Sequence, residues 1–367
     1  MKIVYANTVN FDHPLQQRPH HIFKLLAERG HEIFWVNQQK EQHRFRTKIT
    51  ENFIVYHDWD KFYKKFEGQM DVYFSSWSRR WRDIDLIKPK ITVYDSLDLF
   101  PQNQPDEESM VSKSDIVLTT TKNLYDIQSK HTDNIHMCEN GCFNSFRNNK
   151  YDIPEDIKNL PKPWILFSGA LAISPNTGWC DVDLVEKLSK KYTVIVAGCI
   201  YGLNRKDQEN IRKTKLSRVT FVGNKPYEEL QKYYANCDIN ILPFKRCQVA
   251  DYSHPLKLIE GCNMGKICVA SDIPASKELS AKYPNAVLTS SGHNGFIENI
   301  NKALKFKDNI EVINECHNLA NQHDWNKKVD IIENQIYKFA EKNNIILNEK
   351  KGENNDINSR CSRYTIG

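Results

Sequence analysis

A chain of 367 residues, 40% hydrophobic and 26% charged, has the length for two cores and the composition of an ordinary globular protein. Its net charge of +5 is mild, and residues 201–250 hold ten Lys/Arg against five Asp/Glu, so the excess is local. A nucleic-acid-binding protein would carry a broader basic surface and a recognisable module, and that class is set aside.

The opening "MKIVYANTVNFDHP" starts a strand at once and has no apolar signal segment. "RPHHIFKLLAERG" then reads as an amphipathic helix with Pro at its start and Gly at its stop, and "HEIFWVN" as the next strand. This βαβ unit implies a parallel sheet covered by helices. "NFIVYH", "DVYFSS", "ITVYDS" and "IVLTTT" read as further strands, "KNLYDIQSK" as a helix, and "IHMCEN" as a strand after it. The polar, proline-containing stretch "FNSFRNNKYDIPEDIKNLPKP" breaks the alternation and reads as a linker.

The alternation then restarts. Strands "WILFSGA", "TVIVAGC", "VTFVG" and "INILPF" are separated by helices near 181–190, near 206–213 and at "PYEELQKYYANC". "HDWNKKVDIIENQIYKFAEKNN" reads as a closing helix, and the polar last stretch as a disordered tail. The fold class is therefore α/β, two Rossmann-like domains facing across a cleft. The expected divisions are 1–145, a linker at 146–163, 164–324, the closing helix at 325–345 and the tail at 346–367.

Ten cysteines without a C-x-x-C pair read as reduced thiols, several within apolar segments, and no His/Cys cluster offers a metal site. With no apolar run near the roughly 18–20 residues that span a bilayer, the expected location is the cytoplasm, the inner face of a membrane included.

The stretch "SHPLKLIEGCNMGKICVASDIP" (253–274) poses the functional question. Leu256, Ile259 and Met264 recur at helical spacing, Ser253 is a candidate N-cap, Pro255 fits a first turn, and Gly265 stops the helix before a buried strand. Lys257 and Glu260, three apart, share one face of a helix that otherwise reads as core. A surface ion pair is one explanation. A helix N-terminus with free N–H groups and an added cation for phosphates, beside a carboxylate able to accept two hydroxyl protons, is the other.

Four segments in order resemble GT-B glycosyltransferases, of the family 4/family 1-like group whose donor-site helix reads P-x-K-x-x-E. They are "RPHHIFKLLAERGHEIFWVN", "CENGCFNSF", "RVTFVGNKPYEELQKYYANCDINILPF" and "HPLKLIEGCNMGKICVASDIP", and the resemblance spans about residues 1–340. It implies transfer of a sugar from a nucleotide-diphosphate sugar to a hydroxyl acceptor, a glycan or lipid-linked saccharide, with no metal or other cofactor. Glu260 would hydrogen-bond the donor ribose, and Lys257 and the helix N-terminus would meet the diphosphate. Gly169 resembles the glycine of the first donor-domain loop, where a bare backbone admits a phosphate closely. Many retaining members carry a further glutamate eight residues before Glu260; here that place is Tyr252, with Asp251 off register. Two rivals share the fold: a nucleotide-sugar epimerase, and a non-catalytic relative that binds a glycan or partner.

His254 is a further candidate for a hydrogen bond to phosphate or sugar, or else a plain helix-start residue. Lys245 and Arg246 follow the strand "INILPF" and are candidates for phosphate. On the acceptor side "VYDSLD" puts Asp95 and Asp98 at a strand's carboxyl end. An aspartate base resembling that of inverting relatives would take the acceptor's proton there, Asp98 first and Asp95 as alternate. Arg18 and His20, where the first loop turns toward the cleft, are acceptor-side candidates. The triplets "DWD" (58–60), "DID" (83–85) and "DVD" (181–183) mimic a metal-binding D-x-D but do not fit this strand order. "SSWSRRWR" and "KFYKKF" interleave aromatics with cations, a mixture that suits either a lipid headgroup surface or a soluble amphipathic helix.

Overall fold

Short apolar segments alternate with helices along the chain, and the strands they form pair in parallel with their carboxyl ends on one side. The computed structural model describes residues 1–348 apart from 7–8, 14, 41–43 and 175–177. Strands β1 (Lys2–Ala6), β2 (Glu32–Val36), β3 (Arg46–Thr50), β4 (Phe53–Tyr56), β5 (Val72–Ser75), β6 (Ile91–Ser96), β7 (Ile116–Thr119) and β8 (Ile135–Met137) make the first sheet. Their order is β3-β4-β2-β1-β5-β6-β7-β8, and β3 alone runs antiparallel to its neighbour. Ile3 of β1 pairs with Ile33 on one side and Val72 on the other. Strand order reverses between β1 and β5, which opens a crevice at their carboxyl ends.

The second sheet comprises β9 (Trp164–Ser168), β11 (Thr193–Ala197), β13 (Thr220–Phe221), β14 (Ile239–Leu242), β15 (Cys268–Ser271) and β16 (Val287–Ser290), with β10 (Leu171–Ala172) and β12 (Ile200–Tyr201) as a separate ribbon. Its order, β13-β11-β9-β14-β15-β16, reverses between β9 and β14. Both sheets are thus doubly wound. Strands such as Ile165, Leu166 and Phe167 of β9 are buried on both faces, which is why they read as unbroken apolar runs.

The chain crosses between domains twice, and the crossings clasp each other. Cys142 N–H donates to the His323 carbonyl at 2.8 Å, and Trp325 N–H to the Cys142 carbonyl at 3.0 Å. A Cβ on Gly141 would stand 2.6 Å from the His323 carbonyl oxygen, so only glycine admits this approach. The closing helix Trp325–Lys342 then returns to the first domain, where Trp325, Val329, Ile332 and Ile336 join the core of Ile22, Phe23 and Leu26. The tail does not begin as free chain: the Ile346 carbonyl accepts from Lys90 at 2.7 Å, and Asn348 N–H donates to Asp71 at 3.1 Å. The remainder of the expected tail, from 349, lies outside the described residues.

The three acidic triplets are helix starts. Asp58 accepts from Lys61 N–H and Asp181 from Leu184 N–H as N-caps, and Asp83 and Asp85 lie in the first turn of the helix Asp83–Ile87. The aromatic–cation segments turn their rings inward. Phe62 is fully buried with Trp59, Tyr63 and Phe66 packed about it. Trp81 donates to Asp106 at 3.0 Å and lies 4.1 Å beneath the Arg82 guanidinium. Among the described residues no helix is long and apolar enough to cross a membrane. The nine described cysteines are unpaired.

Candidate active site

The helix with the paired charges spans Leu256–Asn263, with Pro255 as its N-cap. Gly261 lets it lie against β14: a Cβ there would stand 2.5 Å from Asn240 Nδ2, which donates to the Lys257 carbonyl at 2.7 Å. Lys257 Nζ reaches Glu260 Oε2 at 3.0 Å, but the pair is not a surface bridge. Glu260 is 1% exposed and Lys257 23%. The same Oε2 accepts from the Tyr234 hydroxyl at 2.9 Å, and that hydroxyl is bonded in turn to Ser168 at the end of β9. Oε1 of Glu260 is buried without a hydrogen-bond partner. An unpaired carboxylate oxygen in the interior costs free energy unless a ligand hydroxyl satisfies it. Burial, then the nearby Glu260 charge, raises the Tyr227 phenol well above its usual value, which places a second tyrosine at this carboxylate.

Gly169 follows β9 with φ +119°, a conformation that favours glycine, and its missing Cβ would lie 3.9 Å from Lys257 Cε. Its own N–H is taken by the Ala197 carbonyl at 2.9 Å, so its contribution is closeness of backbone and not a free donor. Gly198, at the end of β11, completes this floor, since a Cβ there would fall 1.8 Å from the Gly169 oxygen.

Across the cleft, Asp98 follows β6 and is half-buried. Its Oδ1 accepts from the hydroxyl of Ser253, a residue of the other domain. Burial pushes the Asp98 carboxyl up to about 6, against the opposing effect of the Ser253 hydrogen bond. Ser253 is therefore no N-cap. It closes the short helix Gln248–Tyr252, and its hydroxyl oxygen also lies 2.7 Å from the Val249 carbonyl.

Asp95 and Arg18 meet each other. Arg18 Nε and Nη2 each lie 2.8 Å from one Asp95 oxygen, and both side chains are buried. Burial alone would lower the Arg18 guanidinium, and the Asp95 charge overrides it and raises it. Arg18 also donates to the Glu139 carbonyl at 2.8 Å, so the pair ties β6 and the first helix to the segment after β8. Both are buried and paired with each other, which leaves neither free as the expected alternate base or acceptor contact. Breaking a buried bidentate pair from one side leaves an uncompensated charge and costs roughly 3–5 kcal/mol. Asp95→Ala is accordingly expected to lower the melting temperature by about 10 °C, read by circular dichroism, whatever its effect on activity.

His20 is also a structural residue. Its Nδ1 accepts from Gln17 N–H at 3.1 Å, its ring packs 4.8 Å from Trp35, and burial lowers it to about 4. The neighbouring His21, one position on, packs 4.4 Å from Tyr227 of the second domain and 5.3 Å from Trp325.

His254 meets Glu139 and His323, the two histidines buried and Glu139 partly exposed. Arg246 is held by Asp251, with Nε at 2.6 Å and Nη2 at 3.1 Å from its two oxygens. Lys245 is exposed, with no carboxylate paired to it among the described residues. Tyr252 supplies a carbonyl that accepts from Thr121 of the first domain at 3.4 Å.

Four residues of the site carried no notice in the sequence: Tyr234, Ser168, Tyr227 and Gly198. The polar ends of "WILFS" and "TVIVAG" at a doubly wound sheet's carboxyl edge signal Ser168 and Gly198. Tyr234 and Tyr227 sit among apolar positions of an amphipathic helix and carry no such mark.

Residues 162–305 match the family described as Glycosyl transferases group 1. The match falls on the second domain. Solved structures extend the likeness to both domains. Sucrose-phosphate synthase from Thermosynechococcus elongatus shares 12% identity over 92% of this chain and 98% of its own, with a TM-score of 0.69. Anabaena HepE in complex with UDP shares 15% over 92% and 100%, at 0.65. A glycosyltransferase from Rickettsia africae shares 14% over 92% and 98%, at 0.66. At these identities the likeness establishes the GT-B fold. No curated protein matches the chain in sequence. The glycosyltransferase domain holds Gly169, Lys257 and Glu260, whereas Asp98 and the Arg18–Asp95 pair lie in the part of the chain outside that match.

Proposed function

We propose that this glycosyltransferase takes a sugar from a uridine-diphosphate sugar and delivers it to a hydroxyl of a glycan or lipid-linked saccharide. The observation that carries the reading is the buried, partnerless Oε1 of Glu260 beside Lys257 at the carboxyl end of the second sheet. That oxygen suits a ribose hydroxyl, and Lys257 and Lys245 suit the diphosphate. The uridine base is proposed from HepE, a GT-B protein solved with UDP-glucose. As the sugar leaves, negative charge grows on the diphosphate, and positioned cations and N–H groups stabilise it most in a cleft that excludes water. Asp98 takes the acceptor's proton as its oxygen attacks.

The test is turnover of UDP-glucose followed by chromatography of both the nucleotide and the sugar. With a saccharide acceptor the protein is expected to release UDP and lengthen the acceptor. An epimerised UDP-sugar formed without acceptor would replace this reading with that of an epimerase.

A further inference from the structure

Outside the donor site, three side chains from distant parts of the chain converge beside the interdomain clasp. Glu139 follows β8, His254 precedes the donor helix, and His323 precedes the closing helix. One ligand atom from each lies within 4.8 Å of the other two. His323 Nδ1 stands 2.9 Å from the Leu319 carbonyl, which fixes the proton there and leaves a lone pair on Nε2. That Nε2 faces Glu139 Oε2 at 3.3 Å. His254 Nδ1 is buried without a partner. His254 is 7% exposed and His323 2%, so water does not compensate either freely.

The charges around the cluster leave room for a cation. Lys328 Nζ lies 3.1 Å from Glu139 Oε2 and so engages one carboxylate oxygen, leaving Oε1. Arg18 is neutralised by Asp95. A cavity of about 250 Å³ opens beside the cluster, with Thr121, Glu278 and Lys282 among its lining residues. Glu139 and Glu278 both line this cavity, so two carboxylates share the space.

We propose that Glu139, His254 and His323 bind a divalent transition-metal cation, zinc by ligand type, which fastens the two domains at their clasp. Two imidazoles and one carboxylate are a common zinc set, and the cavity leaves space for a water as fourth ligand. The ligands come from the first domain, the second domain and the returning crossover, so the ion joins all three. Its place is structural, at the clasp between the crossings. The sequence reading found no metal cluster because the three residues meet only through the double crossing.

The test uses the full chain, stripped of metal and titrated with Co²⁺ and then Zn²⁺. One equivalent of Co²⁺ is expected to give visible ligand-field bands without thiolate charge transfer, to be displaced by Zn²⁺, and Zn²⁺ is expected to raise the melting temperature. His254→Asn and Glu139→Gln are expected to weaken Zn²⁺ by about 100-fold or more. Glu139→Gln keeps the side chain's shape, so the result stands if His254→Asn fails to fold. Absence of stoichiometric binding by the wild type, thiolate bands that assign the metal to cysteines, or undiminished affinity in Glu139→Gln would each overturn the proposal.

Discussion

Replacing Asp98 with asparagine is expected to lower the transfer rate by about 10²–10⁴-fold, with nucleotide affinity changed by no more than about twofold. The substitution keeps the shape and the hydrogen bond from Ser253 but removes the ability to accept a proton. Asp98 suits a base because burial has raised its carboxyl to about 6, close enough to neutrality to be ionised and still hold a proton usefully. Its ordinary value lies lower, so the raised group must lose its proton before it acts as a base. The rate at low substrate should therefore climb through pH 6 and level off above it, and the asparagine variant should lack this limb. Initial rates of UDP release across pH 5–8 check both parts. A variant that keeps the wild-type rate and pH profile would reduce Asp98 to an interdomain contact with Ser253.

Glu260→Gln has the second large expectation, a loss of about 10²-fold or more in UDP affinity. Hydrogen bonds to a charged group contribute about 1.5–3 kcal/mol each, and a ribose offers two hydroxyls to one carboxylate. The amide retains the volume of Glu260 but not the charge that Lys257 and Tyr234 support. The loss should be specific to the sugar edge of the nucleotide: 2′-deoxy-UDP should bind the wild type more weakly than UDP does, and the variant should barely distinguish them. This double comparison separates a ribose contact from general damage to the helix.

The sheets were legible because buried parallel strands read as compact apolar runs. β1, β6, β9 and β14 all appear where their segments predict them. β3 was not legible: Arg46 and Lys48 alternate on an exposed edge strand, with little buried surface to mark it. Lys257 and Glu260 stood out because charge on an otherwise apolar helix needs a reason. Arg18 and Asp95 stood out by their places, at the first loop's turn and at a strand's carboxyl end, but their partners were each other, 77 residues apart. Pairings across such separations are set by topology and leave no local periodicity. The grouping of Glu139 with His254 and His323 is the extreme case, since it depends on two chain crossings held by Gly141.

The crevice at Glu260 is proposed as a nucleoside-diphosphate site. Calorimetric titration of the wild type and of Glu260→Gln with UDP, and with GDP and ADP for comparison, tests it most directly. The account predicts one UDP bound per chain by the wild type, with the variant weakened by about 10²-fold or more. Binding of none of the three nucleotides, or equal binding of UDP by both proteins, would contradict it.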